Sequence, residues 1–315
     1  MSEKIATREA YGKALVELGR QNPDVVVLDA DLSKSTKTYD FGKNYPERFF
    51  NIGIAEQNMM GTAAGLAAAG KIPFASSFAV FATGRVYDQI RNSIAYPRLN
   101  VKIGASHAGI TVGEDGASHQ AVEDIALMRC LPNMTVFVPA DAVETRAAVL
   151  AAAEIDGPVY IRLGRSGVPV LHDKDNFNFV PGRAITLRDG SDAAIIACGI
   201  MVSAALEAAE LLAGEGLAVR VLDMHTIKPL DVDAVVEAAR ATGAVVTAEE
   251  HSILGGLGGA VAEALGENCP VPLRRVGVRD TFGESGKPGE LLEKYGLTPA
   301  ALAQAVREVL QRKQR

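Results

Sequence analysis

Short, wholly apolar runs alternate with helical patterns through this sequence, and that alternation leaves few folds open. Val25 to Leu28 is apolar at every position, as expected of a strand covered on both faces. Thr7 to Gly19 before it reads as an amphipathic helix closed by glycine. The pattern continues with strands predicted at Phe49–Ile54, Ile72–Ser76, Val101–Ala105, Thr135–Val138 and Val159–Leu163. Between them fall helices at Glu56–Ala69 and Ala82–Tyr96, a further helix before Thr135, and one after Asp141. Such alternation specifies a parallel sheet with helices on both faces. Prolines and charges then break the period between Ser166 and Pro181, and a fresh alternation begins at Ala193. Its strands are predicted at Ala193–Ala197, Ala218–Leu222, Ala244–Ala248 and Leu273–Val278, and the tail from Pro299 is helical. The expected fold is α/β, with two three-layer α/β domains: residues 1–166, a linker at 167–182, and residues 183–315.

Composition narrows the function. The 315 residues suffice for two domains, and 48% hydrophobic with 22% charged residues is a globular balance. No apolar run is long enough to span a membrane, and the first residues lack a secretory-signal layout. Cys130, Cys198 and Cys269 are odd in number and widely separated, which predicts reduced thiols in a cytoplasmic protein. A net charge of −6 without a basic run argues against nucleic acid as a partner.

In sheets of this kind, ligands gather beyond the carboxyl ends of the strands. Five polar stretches fall there in the first half: Asp29–Thr36, Glu56, Phe78 with Phe81, His107–His119, and Arg165. Taken singly, each has an ordinary explanation. Glu56 at a helix start can serve the helix dipole, and Phe78 and Phe81 can be core aromatics. Gly61, Ala64, Gly65 and Ala68 at helical spacing suit a tight subunit interface as well as a core. The loop SHAGITVGEDGASHQ is more specific, for it holds two histidines, two carboxylates and three glycines. Its glycines let backbone approach a ligand, while His and Asp can bind hydroxyls or move protons. His107 and His119 are too far apart for a helical zinc pair. Arg8, Ser35, His107 and Arg165 together can form an anion pocket. GGLGG at 255–259 lacks dinucleotide-loop spacing and reads as a tight turn. His225 and His251 read as structural or interface residues.

With ADLSKS (30–35), NIGIAEQNMMG (51–61), SFAVF (77–81), GEDGASHQ (113–120) and PADAVE (139–144) in view, the chain resembles the C-terminal section of transketolases. IKPLD (227–231), AEEHSILGGLGGAVAE (248–263) and DTFGESG (280–286) extend the resemblance to nearly the whole length. It implies a parallel-sheet domain that binds the pyrimidine of thiamine diphosphate, followed by a transketolase-type C-terminal domain. It also implies roles. Glu56 would hydrogen-bond the pyrimidine ring nitrogen and shift a proton there, which requires burial to raise its pKa. Phe78 and Phe81 would stack on the ring, and Asp31 would support the site. Asp115 and His119 would meet sugar hydroxyls near the reacting carbons, His119 as a second catalytic residue. Arg8, Ser35, His107 and Arg165 would hold a sugar phosphate.

Two departures stand out. Many transketolases have a Tyr three residues after the second Phe, where this chain has Gly84. The family's GDG motif with a following Asn, which binds the diphosphate and its magnesium, is missing. The resemblance therefore implies half of a split transketolase, with an N-terminal subunit holding the diphosphate and Mg2+ (or Ca2+). Two copies of each chain, an α2β2 assembly, are expected. The alternatives are a 1-deoxyxylulose-5-phosphate synthase half, a 2-oxo acid dehydrogenase beta subunit, a relative acting on an altered sugar such as a sulfonated one, and a non-catalytic regulatory subunit. GEDGxxHQ favours transketolase over both enzyme rivals.

Overall fold

A computed structural model describes residues 3–313. Seven strands form the first sheet, in the order Thr226–Lys228, Thr135–Phe137, Val159–Arg162, Lys102–Ser106, Ile72–Phe78, Val25–Asp29, Phe49–Asn51. All but Thr226–Lys228 run parallel. The central strands Val25–Asp29 and Lys102–Ser106 are buried at every position, which is why they are apolar throughout rather than alternating. Besides Asp29 and Ser106 at the strand ends, the exception by residue type is Lys102. Its amine donates to the carbonyls of Ile155 and Gly157 at 2.6 and 2.7 Å, and burial brings its pKa down to about 7.

Helix Thr7–Gln21 lies across one face of this sheet. Tyr11, fully buried, shares a 2.7 Å hydrogen bond with the Ser76 hydroxyl. Its ring end occupies the space that a side chain at Gly104 would need, so glycine in that strand marks a close approach. On the other face, helix Glu56–Ala68 packs Met59, Met60, Ala63 and Ala64 into the core.

The second sheet has five strands, ordered Leu273–Val278, Val245–Ser252, Ala193–Ala197, Val219–Asp223, Ile185–Arg188, with only Ile185–Arg188 antiparallel. Helices Met201–Ala213 and Pro299–Lys313 cover one face. Val232–Thr242 and Leu257–Asn268 cover the other. Both halves are thus three-layer α/β units, as the alternation predicts. Among the described residues, no helix is long and apolar enough to cross a membrane, and Cys130, Cys198 and Cys269 are all free thiols.

Three expectations need correction. The stretch read as an aperiodic linker opens with a strand, Gly167–Pro169, paired antiparallel with Lys4–Ala6. Three-residue strands carry too little pattern to be recognised. The helix expected at Ala82–Tyr96 is instead a short helix at Ala79–Thr83 and a π-helical stretch at Gln89–Ala95. The Thr83 hydroxyl donates to the Ala79 carbonyl at 2.6 Å, a local bond that competes with helix continuation. Finally, Thr226–Lys228 belongs to the sheet of the first half, although it lies in sequence within the second.

Charge ties the halves together. Arg162, at the end of its strand, donates to both oxygens of Asp124 at 2.8 and 3.1 Å. The Tyr160 hydroxyl donates to the same carboxylate at 2.6 Å. Arg162 also donates to the carbonyls of Ala121 and Glu250, at 3.3 and 2.9 Å, and the latter belongs to the second half. Burial pushes the Asp124 carboxyl up, but the guanidinium outweighs it and holds the group below the usual range. Breaking a buried pair strands the surviving charge. Arg162→Met should therefore lower unfolding stability by about 3–5 kcal/mol, read as the shift in a urea unfolding curve at constant slope.

Candidate functional site

The polar stretches of the first half do converge beyond the carboxyl ends of the parallel strands. Asp29 ends strand Val25–Asp29 and is fully buried. Its carboxylate accepts from the Leu32 N–H (2.6 Å) and from the hydroxyls of Thr36 (2.6 Å) and Thr38 (2.9 Å). These bonds fold the segment carrying Asp31 and Ser35 back over the sheet edge. Burial outweighs these hydrogen bonds and raises the Asp29 pKa. Asp31 adopts a left-handed φ of 62°, which Asp tolerates better than most residues. It is exposed and exchanges bonds with Asn51: its N–H donates to Asn51 Oδ1 (3.1 Å), and Asn51 Nδ2 donates to its carboxylate (3.0 Å).

Glu56 opens its helix and is buried, 4% exposed. Arg85 Nη1 donates to Glu56 Oε1 at 2.9 Å, and the Arg85 guanidinium lies 4.1 Å over the Phe81 ring. The expectation of a carboxyl kept protonated by burial thus meets a cation that sequence reasoning passes over. Gln57 donates to the Arg85 carbonyl at 3.2 Å, so neighbouring side chains hold both ends of the arrangement. Gly84 is exposed, with open space on most sides.

Phe78, Phe81, His107 and His119 form one aromatic cluster. Phe78 stacks on His107 with centroids 3.7 Å apart, and on Phe81 at 6.1 Å with 14° between planes. His119 meets both phenylalanines edge-on. His107, at a left-handed φ of 57°, sits in strained backbone of the kind that collects at functional sites. Arg8 Nη1 lies 3.4 Å from His107 Nε2, and the Ser106 hydroxyl lies 2.9 Å from Nδ1. Burial, then the nearby Arg8 and Arg165, brings the His107 pKa down to about 3. The ring is therefore neutral near pH 7. With Nε2 facing a guanidinium, Nε2 accepts and Nδ1–H donates to Ser106.

Arg8 also donates to the Ser35 carbonyl at 2.9 Å, which ties the Ser35 segment to the arginine. Arg165 donates to the Val112 carbonyl and lies 3.4 Å from Glu114 Oε2. The two arginines are close enough to lower the pKa of Arg8, behind the larger effect of burial. Asp115 is exposed, and His119 shares a 3.0 Å bond with the Ser118 hydroxyl.

The second half holds this loop in place, a role that sequence reasoning missed. Glu250 Oε1 accepts from the Thr111 N–H at 2.7 Å, and its carboxylate fills the space beside Gly109. Burial raises the Glu250 pKa to about 7. Gln120 donates to the Glu284 carbonyl at 2.9 Å, and the Ser285 hydroxyl donates to the Glu114 carbonyl at 2.7 Å. His251 Nδ1–H donates to the Ser252 carbonyl (2.7 Å), leaving Nε2 to accept from the Ala126 N–H at 3.3 Å. Glu249 accepts from the N–H groups of Leu257 and Gly258 (2.7 and 2.8 Å), which makes GGLGG the entry to a helix. Histidines and acids straight after strands were the available signal.

Residues 3–170 match the family described as "Transketolase, pyrimidine binding domain", and residues 182–302 match "Transketolase, C-terminal domain". The chain belongs to the transketolase family. A Methanocaldococcus jannaschii protein described as a putative transketolase C-terminal section is 50% identical over 307 residues, 97% of this chain and 96% of that one. A 6-deoxy-6-sulfo-D-fructose transketolase subunit from a Clostridium strain is 51% identical over 306 residues, covering 97% and 95%. A solved structure described as a split gene transketolase, inactive beta4 tetramer, superposes with a TM-score of 0.92 at 65% identity, covering 98% of this chain and 99% of that one. The chain is therefore of the split-subunit type within the transketolase family.

The family implies thiamine diphosphate, and the residues present fit its pyrimidine: a buried carboxylate beside a stacked aromatic pair. The neutral His107 of this transketolase-family chain has a testable consequence. Its folded pKa lies below its unfolded value, so its contribution to stability is complete above about 6.5 and is lost as pH falls toward about 3. His107→Asn should flatten the slope of stability against pH between about 6 and 4, measured by urea unfolding of both proteins at each pH.

Proposed function

We propose that this chain is the C-terminal subunit of a split transketolase, moving a two-carbon ketol unit from a ketose phosphate to an aldose phosphate. The observation that carries this reading is the neutral His107 beside Arg8, a short step from the Glu56–Phe78–Phe81 group. An anion grip adjoining an aromatic and acidic pocket suits a phosphorylated sugar lying against a heterocycle.

Thiamine diphosphate, when bound, supplies the carbanion-stabilising chemistry. Glu56 holds the pyrimidine nitrogen and shares a proton with it. Arg85 bonds only Oε1 of Glu56, which leaves Oε2 to meet the ring, and Arg85 itself is half exposed. Phe78 and Phe81 supply the flat wall, and Asp31 with Asn51 steadies the rim. His119 and Asp115, on the glycine-rich loop, take sugar hydroxyls, His119 also relaying protons. Arg8 and Arg165 neutralise the terminal anion, while His107 and the Ser35 segment fix where it sits. A neutral His107 steadies Arg8 there without adding a third cation.

The diphosphate and its Mg2+ fall to a partner chain bearing the missing GDG motif. The exposed face of helix Glu56–Ala68 supports self-association: Gly61 and Gly65 open onto free space, and Ile54 and Tyr96 are 79% and 84% exposed. Exposed large apolar side chains and an open glycine face fit subunit contacts, hence two of each chain. Residues 1–166 and 183–315 act as the pyrimidine-binding and C-terminal domains, and the free thiols suit a cytoplasmic enzyme. The likeness to a 6-deoxy-6-sulfo-D-fructose transketolase subunit supports a second substrate reading, a sulfonated ketose, whose anion the same arginines would grip.

Reconstitution tests both. This chain is mixed with a GDG-bearing partner, thiamine diphosphate, Mg2+ and either a phosphorylated or a sulfonated ketose, and ketol transfer to an aldose is followed. Transfer should need both chains, and Glu56→Gln should cut it by about 100-fold or more. Full activity from this chain alone, or an unimpaired Glu56→Gln mixture, overturns the proposal.

A further inference from the structure

A second buried constellation lies where the two halves meet, apart from the residues of the sugar and pyrimidine site. Asp141 caps helix Ala142–Glu154: its Oδ1 accepts from the Glu144 N–H at 2.8 Å. Its Oδ2 accepts from the N–H groups of Leu171 and His172, at 2.7 and 2.9 Å. That carboxylate is fully engaged, and it pins the linker carrying His172. The neighbouring groups are only partly engaged. Glu144 Oε2 accepts from the Ala140 N–H at 2.6 Å, but Oε1 has no hydrogen-bond partner. Neither oxygen of Asp223 has one, nor either ring nitrogen of His172. Glu144 and Asp223 are fully buried, and His172 is 9% exposed. One donor atom from each of the three lies within 4.8 Å of the others.

Two buried carboxylates faced by a single imidazole, 3.5 Å from Asp223, are costly to keep charged, and a bound cation would compensate them. We propose that Glu144, His172 and Asp223 bind a divalent transition-metal ion that ties the first half, the linker and the second half together. An imidazole nitrogen with two carboxylate oxygens is a borderline donor set, suited to Zn2+, Mn2+ or Co2+. Ca2+ would ask for six or more oxygens, and Mg2+ for a near-ideal octahedron with several waters. His172 Nε2 and Asp223 Oδ2 are 3.5 Å apart. That is close to the ~3.3 Å edge of a tetrahedron with metal–ligand bonds of about 2.0–2.1 Å. The other ring nitrogen, Nδ1, lies 3.2 Å from Asp141 Oδ2. A carboxylate on the far side of a ligating imidazole fixes its tautomer and orientation, and here that carboxylate is itself anchored by three backbone N–H groups. Each ligand comes from a different part of the chain: the helix after PAD, the linker, and the end of strand Val219–Asp223. The ion would act on the fold and not on the sugar chemistry.

Cobalt makes the site visible. The full chain is stripped with EDTA, dialysed and titrated with Co2+. Visible ligand-field bands should saturate at about one equivalent per chain, and Zn2+ or Co2+ should raise the unfolding midpoint by several degrees. His172→Ala and Glu144→Gln should each lose the bands and the midpoint shift. Glu144→Gln keeps an acceptor for the Ala140 N–H, which guards against a merely misfolded variant, and circular dichroism checks that both fold. Wild-type protein without bands or midpoint shift overturns the proposal, as do bands that persist unchanged in both folded variants.

Discussion

The Asp124–Arg162 pair is the contact on which the rest of the molecule leans. It is buried on all sides, it carries Tyr160 as a third member, and its spare guanidinium N–H groups reach carbonyls on both sides of the junction. It is one of several polar ties between the two α/β units, and it is the one buried at their centre. A forked cation with fixed acceptors resists rotation of one unit against the other, because any rotation would leave a charge without partners. The neighbouring bonds of Glu250 and His251 work in the same sense and fix the register of the loop from Gly109 to His119.

That rigidity matters for the chemistry proposed. A glycine-rich loop alone would sample many conformations, yet its histidines must face an aromatic pocket built by other strands. The second half supplies the missing constraint through a few backbone-directed bonds: Glu250 to Thr111, Gln120 to Glu284, Ser285 to Glu114. His107 is held still by Phe78 on its face and by Ser106 and Arg8 at its nitrogens. A prearranged grip loses less on binding than one that must first be ordered.

Much of this is legible in the amino-acid sequence alone. The wholly apolar strand Val25–Leu28 and its successors announce a sheet covered on both sides, and the rule about strand ends picks out the polar clusters. Glu56, Phe78, Phe81, His107 and His119 do lie together. What stays hidden has physical reasons. Arg85 carries no local signal, because its meaning comes from a carboxylate in another element and a ring four residues back. The bond from Arg8 to the Ser35 carbonyl has no sequence signal, because it joins two elements through backbone. The strands Gly167–Pro169 and Thr226–Lys228 are too short for a period to show. The reach of Glu250 across the junction depends on sheet packing and not on spacing in the chain.

Thr226–Lys228 also sets a limit on how the polypeptide can be divided. It comes from the second half but lies antiparallel against Thr135–Phe137, where the sheet of the first half would otherwise end. Lys228 reinforces the seam by donating to the carbonyls of Arg129 and Leu131. A chain severed within residues 170–184 would uncover the backbone donors and acceptors of Thr135–Phe137. Bare strand margins of that kind recruit foreign strands and aggregate. The boundary most conspicuous in the primary sequence is thus a seam the fold has sewn shut, and each half serves as a cover for the other.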